Sequence, residues 1–310
     1  MVKYIISRLL QAVLVLFLAT IVTFGLVIVA PGDPVLLMLN KRADDATIAR
    51  VRHELGLDRP LHVQYTDFLY KAIHFDFGRS YSNKIPVNEL IKQAFPVTLK
   101  LGLLALLFAA VFGITVGTLA AVFRGKIVDK IIMLLAIFQI SAPVFWFAML
   151  LQILFGLNLH LLPVSGMSHP LWMVLPVIVL GLRYGAVSAR LVRTNMLDAL
   201  SQDYVRTARA KGVSEFPLVM MHVFKNAAIP ILTLLGGMLR SMLSGAIVVE
   251  RVFGIQGMGK LAIDAVMSRD LNIIQATVMY SALLFVVINL VVDLSYGLLD
   301  PRIRIIAEAK

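Results

Sequence analysis

The chain has 310 residues, is 59% hydrophobic with a mean hydropathy of +0.87, and carries a formal net charge of +11. A soluble protein this apolar could not cover its own surface, so the composition specifies a membrane protein. The excess positive charge lies largely between apolar runs rather than in a basic, aromatic-studded domain, which excludes a nucleic-acid binder. The lack of cysteine excludes disulfides, zinc–thiolate sites and iron–sulfur clusters.

Lys3 and Arg8 precede an apolar run from Leu9 to Ala30, longer than the roughly 7–15 residues of a signal-peptide core, and Pro31 disfavours cleavage after it. Residues 1–30 are therefore predicted as an uncleaved transmembrane helix with a cytoplasmic N-terminus. Residues 31–95 form the one sizeable non-membrane segment, predicted as a small external (periplasmic or extracellular) subdomain. Asp44 can cap a helix there, Gly56 can end it, and Pro60 follows. Lys41, Arg42, Arg50 and Arg52 make the segment basic, but the positive-inside rule loses force in loops beyond about 60 residues. Tyr65, Phe68, Tyr70, Phe75 and Phe77 suit packing within the segment or at the membrane interface.

A second span is predicted from Pro96 to Phe123, with Gly113 and Gly117 four apart for close helix packing. Arg124, Lys126 and Lys130 mark a cytoplasmic loop, and a third span runs from Ile131 to Leu157 across Pro143. After an external loop containing Pro163 and Gly166, the fourth span covers Leu171 to Val192. A polar cytoplasmic segment, 193–226, separates it from the fifth span, Ala227 to Val249. An external stretch from Glu250 to Asn272 leads to the sixth span, Ile273 to Leu299, and to a cytoplasmic tail, 301–310, containing Arg302, Arg304 and Lys310. The fold class is thus all-α: six transmembrane helices in a multi-pass protein with both termini cytoplasmic, residues 96–300 forming the core.

Within the polar segment, Asp203–Gly212 reads as a short helix: Ser201 or Asp203 can cap it, and Gly212 suits the left-handed position that ends it. Tyr204, Ala208 and Lys211 fall on one face, Arg206 and Arg209 on another, with Val205, Thr207 and Ala210 between. Ser214 and Pro217 suit the start of a second helix leading into the fifth span. Such a knob either lies on anionic lipid or acts as a rigid lever docking into another protein.

Chemistry-bearing constellations are missing. There is no G-x-x-x-x-G-K-[ST] loop for a nucleotide, no zinc spacing among the six histidines, and no nucleophile–base set, so the chain reads as a non-enzyme without catalytic, cofactor-binding or metal residues of its own. His160 and His169 share a loop but read as solvated. A proton- or ion-driven secondary carrier, the alternative function, needs mid-membrane carboxylates, and only Asp293 lies well inside a span. Arg240, near the middle of the fifth span, either faces a water-filled translocation path, where it attracts a cargo carboxylate, or pairs within the complex; Arg183 is a second intramembrane cation.

ARAKG at 208–212 followed by KNAAIP at 225–230 resembles the cytoplasmic coupling loop of ABC-transporter permeases of the peptide and nickel import family. Of the general Glu-Ala-Ala-x-x-x-Gly pattern only Ala208 and Gly212 match, Arg206 and Thr207 standing where Glu and the first Ala would, which directs attention to Tyr204, Ala208 and Gly212. PGDP at 31–34, LGLDRPL at 55–61, DFGRSY at 76–81, LPVSG at 162–166, VVERVF at 248–253 and DPRIR at 300–304 extend the resemblance along nearly the whole chain. It implies a type I ABC importer permease fold in the bacterial cytoplasmic (inner) membrane and import of di- or oligopeptides, nickel or a metal chelate. The implied partners are a second homologous permease, two cytoplasmic ATPase subunits carrying ATP and Mg, and an external substrate-binding protein. Asp203–Gly212 would be the ATPase-coupling element.

Overall fold

A bilayer offers backbone N–H and C=O groups no water, so an apolar chain of this kind satisfies them within helices. The computed structural model describes residues 2–29, 35–36, 44–54 and 56–299. Among the described residues the principal helices are α1 (Val2–Val29), α2 (Asp45–Glu54), α3 (Leu61–Ile73), α4 (Val87–Val122), α5 (Ile127–Ser141), α6 (Val144–Leu151), α7 (Val174–Leu200), α8 (Asp203–Ala210), α9 (Phe224–Val252), α10 (Met258–Ser268) and α11 (Leu271–Leu299). Helices α1, α4, α7 and α11 are each long and apolar enough to cross a bilayer. Two bent pairs, α5 with α6 and the two halves of α9, bring the number of crossings to six if each pair is one span. The PGDP and DPRIR motifs, Lys41, Arg42 and the basic tail residues lie outside the described residues, as does the side chain of Asp293.

The third predicted span is not one rod. The chain turns by 110° between Ser141 and Val144. Pro143 lacks an N–H and crowds the residue before it, and Ala142 accordingly takes extended angles, φ −70° and ψ 136°. Pro96 and Pro230 by contrast sit inside continuous helices. The second span starts earlier than predicted because α4 passes straight through Pro96. At 36 residues α4 is roughly 54 Å long, well beyond a hydrocarbon core of ~30 Å.

The chain divides into two compact units. One comprises residues 1–97 and 256–291, so the segment expected at 31–95 shares its unit with α1, α10 and most of α11. Asp44 heads α2 as expected: its carboxyl is held below the usual aspartate value chiefly by a hydrogen bond with Thr47, and Gly56 ends the turn with φ +66°. Helix α3 is tied to α1 by a Thr20–Tyr65 hydroxyl contact of 2.9 Å and by Phe24 against Tyr65 and Phe68. The core gathers Ala72, Phe77, Val87, Ile91, Ala94, Met258, Ala265, Ile273 and Ala276. The DFGRSY stretch is gripped by the buried Asp270: its Oδ2 accepts from Ser80 Oγ (2.6 Å), the Tyr81 N–H (2.7 Å), and the Ser82 N–H and Oγ (both 3.2 Å). Burial, with the Asp270 charge second, pushes the Tyr81 phenol up to about 12.

The other unit comprises residues 98–255 together with the chain from 292. Here α4 crosses α7 at small residues. A Cβ on Gly113 would lie 2.5 Å from the Ser188 Cβ, and one on Gly117 2.5 Å from the Ala189 carbonyl oxygen. Helices α5, α6 and α9 also pack on α7, which is the hub of this unit. Gly113→Leu should cost about 1–3 kcal/mol through overpacking and lower the unfolding temperature of the detergent-solubilised transporter; an unchanged temperature would contradict this crossing. Asp270→Ala leaves Ser80, Tyr81 and Ser82 donors without their acceptor and should speed proteolysis within residues 76–86.

Candidate coupling segment and translocation path

Helix α7 carries the chain past the apolar zone to Leu200, and α8 follows at once. Gln202 occupies the N-cap position in an extended conformation without a side-chain cap. The predicted caps work otherwise: the Ser201 hydroxyl donates back to the Asp198 carbonyl (2.7 Å), and Asp203 stands as the acidic residue of the first turn, where the helix dipole favours it. The Asp203 carbonyl accepts from Thr207 Oγ1 at 3.1 Å, and its carboxylate lies 3.6 Å from Arg206 in an exposed pair.

One side chain of α8 is wholly inside. Val205 is 0% exposed, in a cluster with Val192, Met196 and Ala199 of α7, Leu218, Val219 and Val223 of the following stretch, and Ala227 and Ile231 of α9. Ala208, one turn on, packs against the same cluster with Val213. The helix closes in a Schellman motif: the Gly212 N–H donates to the Arg209 carbonyl (2.9 Å), and the Val213 N–H to the Ala208 carbonyl (3.2 Å). This needs a left-handed residue, and Gly212 supplies it with φ +82°. A helical turn at Glu215–Pro217 and a π-helical stretch at Leu218–Val223 then continue into α9.

A two-pronged ion pair clamps the two halves of the knob. Arg209 Nε donates to Glu215 Oε1 (2.8 Å) and Nη2 to Oε2 (3.2 Å). Arg209 in turn holds the Glu215 carboxyl below the usual glutamate value. Tyr204, Arg206, Thr207, Arg209, Ala210, Lys211 and Gly212 are exposed. Phe216, 78% exposed, and Met220 and Met221 add apolar surface next to them. The predicted face of Tyr204, Ala208 and Lys211 is therefore split: Ala208 turns inward with Val205, while the other two remain outside. Helical periodicity groups Ala208 with Tyr204 and Lys211 but does not say which face of the helix meets α7 and α9, and the buried pair is Val205 with Ala208.

Arg240 lies in α9, half-buried, and no acceptor for its guanidinium is found among the described residues. Arg183 has a structural post: its Nη1 donates to the Ile140 and Ala142 carbonyls at 3.3 and 3.4 Å, serving oxygens freed at the break before Pro143. The pair that ties α5 to α7 has no local signature in the sequence. Buried Asp129 accepts from Arg193 Nε (2.6 Å) and Nη2 (2.8 Å), and from the Gly125 N–H (2.9 Å). Nothing in a separation of 64 residues announces such a contact. Equally unannounced, Thr98 Oγ1 donates to the fully buried Glu250.

A hub helix packed by bent spans, with a polar helix folded back onto its end, defines an all-helical, multi-pass membrane protein. Among solved structures the fold is similar to the MetNI methionine ABC transporter (TM-score 0.55, 17% identity, covering 68% of this chain and 94% of that chain). It is also similar to an amino acid ABC transporter (TM-score 0.52, 19% identity, 68% and 94%). The sequence matches the family described as binding-protein-dependent transport system inner membrane component over residues 113–305, and that family's N-terminal component over residues 1–102. It is 39% identical over 312 residues to a peptide transport system permease protein of Brucella abortus, covering 98% of this chain and 99% of the relative. It is 41% identical over 304 residues to a glutathione transport system permease protein of Salmonella typhi, with the same coverage. The chain belongs to this family: it is a multi-pass inner-membrane permease subunit of an ABC importer of the peptide/nickel type. Nothing in these relationships supports an ion-driven carrier.

Val205→Asp should place a charge in the cluster and release α8, seen as rapid hydrogen exchange across residues 203–212 while the rest of the chain keeps its protection. A carboxyl lowered by folding contributes stability above its unfolded value and loses it as pH falls through the folded one. A spin label at position 210 should therefore gain mobility below the ordinary glutamate value of 4.5, and Glu215→Gln should show the mobile signal already at neutral pH.

Proposed function

We propose that this permease imports di- or oligopeptides, and that Asp203–Gly212 is the element through which ATPase subunits drive it. The observation that carries the second part is the burial of Val205 in a cluster shared with α7 and α9. A cationic, partly apolar outer face is thereby joined to two spans, and a push on that face moves them as one body. In this reading ATP and Mg act on two separate cytoplasmic ATPase chains, the present chain performing no hydrolysis. A second homologous permease completes the path, and an external binding protein delivers cargo to residues 31–95 and 250–272. Both termini are cytoplasmic. Nucleotide state and binding-protein docking bias one inward–outward equilibrium, as alternating access requires.

The peptide assignment rests on the relatives named for peptide and glutathione transport, glutathione itself being a peptide; none of those named concerns nickel or a metal chelate. Arg240 then meets the cargo carboxylate. An Arg in mid-membrane costs about 2.5–3.5 kcal/mol on insertion scales, and a water-filled path is where such a cation is tolerated.

The test is uptake by the reconstituted transporter with its cognate binding protein. Gly212→Pro should abolish peptide-stimulated ATP hydrolysis while the protein still reaches the membrane; normal coupling would remove α8 from the drive. Arg240→Ala should lower uptake of peptides with a free C-terminal carboxylate more than that of their C-amidated forms, whereas equal uptake of every cargo would take Arg240 out of the path.

A further inference from the structure

Between the N-terminal part of α4 and the middle of α11 runs an open groove of about 510 Å³. Its walls are almost entirely apolar, with Phe95, Leu284 and Val287 among them, and its polar contributions include Asn88 and Lys92. The polar residues are not scattered. Asn88 and Lys92 precede Pro96 on α4, where the helix is longer than the bilayer requires, so they fall at the interface. On α11 the lining continues from Tyr280 to Val287, roughly 10 Å further along at 1.5 Å per residue. That is about two-thirds of one leaflet of a ~30 Å hydrocarbon core.

The cation at the mouth is uncommitted. Lys92 is exposed, and among the described residues no carboxylate or other acceptor pairs with it. Asn88 gives one amide hydrogen to the Phe75 carbonyl and keeps a second donor. A cationic and hydrogen-bonding mouth above an apolar trough lined by two spans matches one kind of molecule: a headgroup with negative charge attached to a hydrocarbon chain. We propose that this groove holds an anionic phospholipid, its phosphate on Lys92 and Asn88 and an acyl chain along Phe95, Leu284 and Val287. The site is separate from α8 and Arg240 and does not depend on their assignment. A lipid held there packs the seam between α4 and α11 on both sides of Pro96, where the Lys92 carbonyl has lost its intrahelical donor.

The experiment uses the intact transporter, delipidated in mild detergent and titrated with phosphatidylglycerol or phosphatidylcholine under native mass spectrometry. Wild type should retain phosphatidylglycerol in preference. Lys92→Gln, a change at an exposed position, should weaken that retention about fivefold, the effect of one basic residue at an anionic surface, and leave phosphatidylcholine unchanged. No preference, or no effect of Lys92→Gln, overturns the proposal. The chain has no cysteine, so Leu284→Cys can carry a photo-crosslinker: a lipid adduct supports the site, and a crosslink to the other permease subunit shows that protein covers the groove and also overturns it.

Discussion

The structure depends most on the apolar cluster that closes around Val205. Full burial of a valine side chain is worth about 1.5–3 kcal/mol, too little to fold a helix but enough to fix where a short one, closed at its C-terminus by the Gly212 turn, rests. Helix α8 has eight residues, below the length at which an isolated helix holds itself together in water. It persists because Val205 and Ala208 insert between the ends of α7 and α9, and because the Gly212 turn and the Arg209–Glu215 clamp direct the chain straight back into α9. The same contacts that stabilise it make it a mechanical joint.

The membrane part follows a parallel logic, in which small or polar residues appear where helices must meet or break. Gly113 and Gly117 let the α4 backbone approach α7 to within a distance that no side chain could share. Asp129 and Arg193 neutralise one another between α5 and α7, so neither charge is left alone in a buried place. Arg183 closes the accounts of the broken span by donating to carbonyls at the bend. Arg240 differs from all of these in having no such post among the described residues, which singles it out from the other intramembrane cation considered, Arg183.

Much of this was legible in the sequence, and for identifiable reasons. Apolar runs of the right length reveal spans because the bilayer thickness is constant. Gly212 and Gly56 reveal helix ends because only glycine adopts left-handed angles without strain. The motifs spread from residue 31 to residue 304 pointed to the family. Tertiary partnerships were hidden: Asp270 with residues 80–82, Asp129 with Arg193, and Thr98 with Glu250 join positions far apart in the chain, and no local pattern encodes them. The 110° break at Pro143 was also hidden, because Pro96 and Pro230 show that a proline in an apolar run need not interrupt its helix. The inward turn of Ala208 depends on which face of α8 meets the cluster, and that is decided by α7 and α9.

If the cluster makes α8 and the ends of α7 and α9 a single body, the distance between them should not change as the transporter cycles. Spin labels at Arg206 on α8 and Arg190 on α7, introduced into the cysteine-free chain of the full complex, measure it directly by electron–electron double resonance. One narrow distance distribution is expected, the same without nucleotide and with ATP trapped on the ATPases. A distance that shifts or broadens between those states would mean that α8 swings on its own, and that the drive does not pass through Val205.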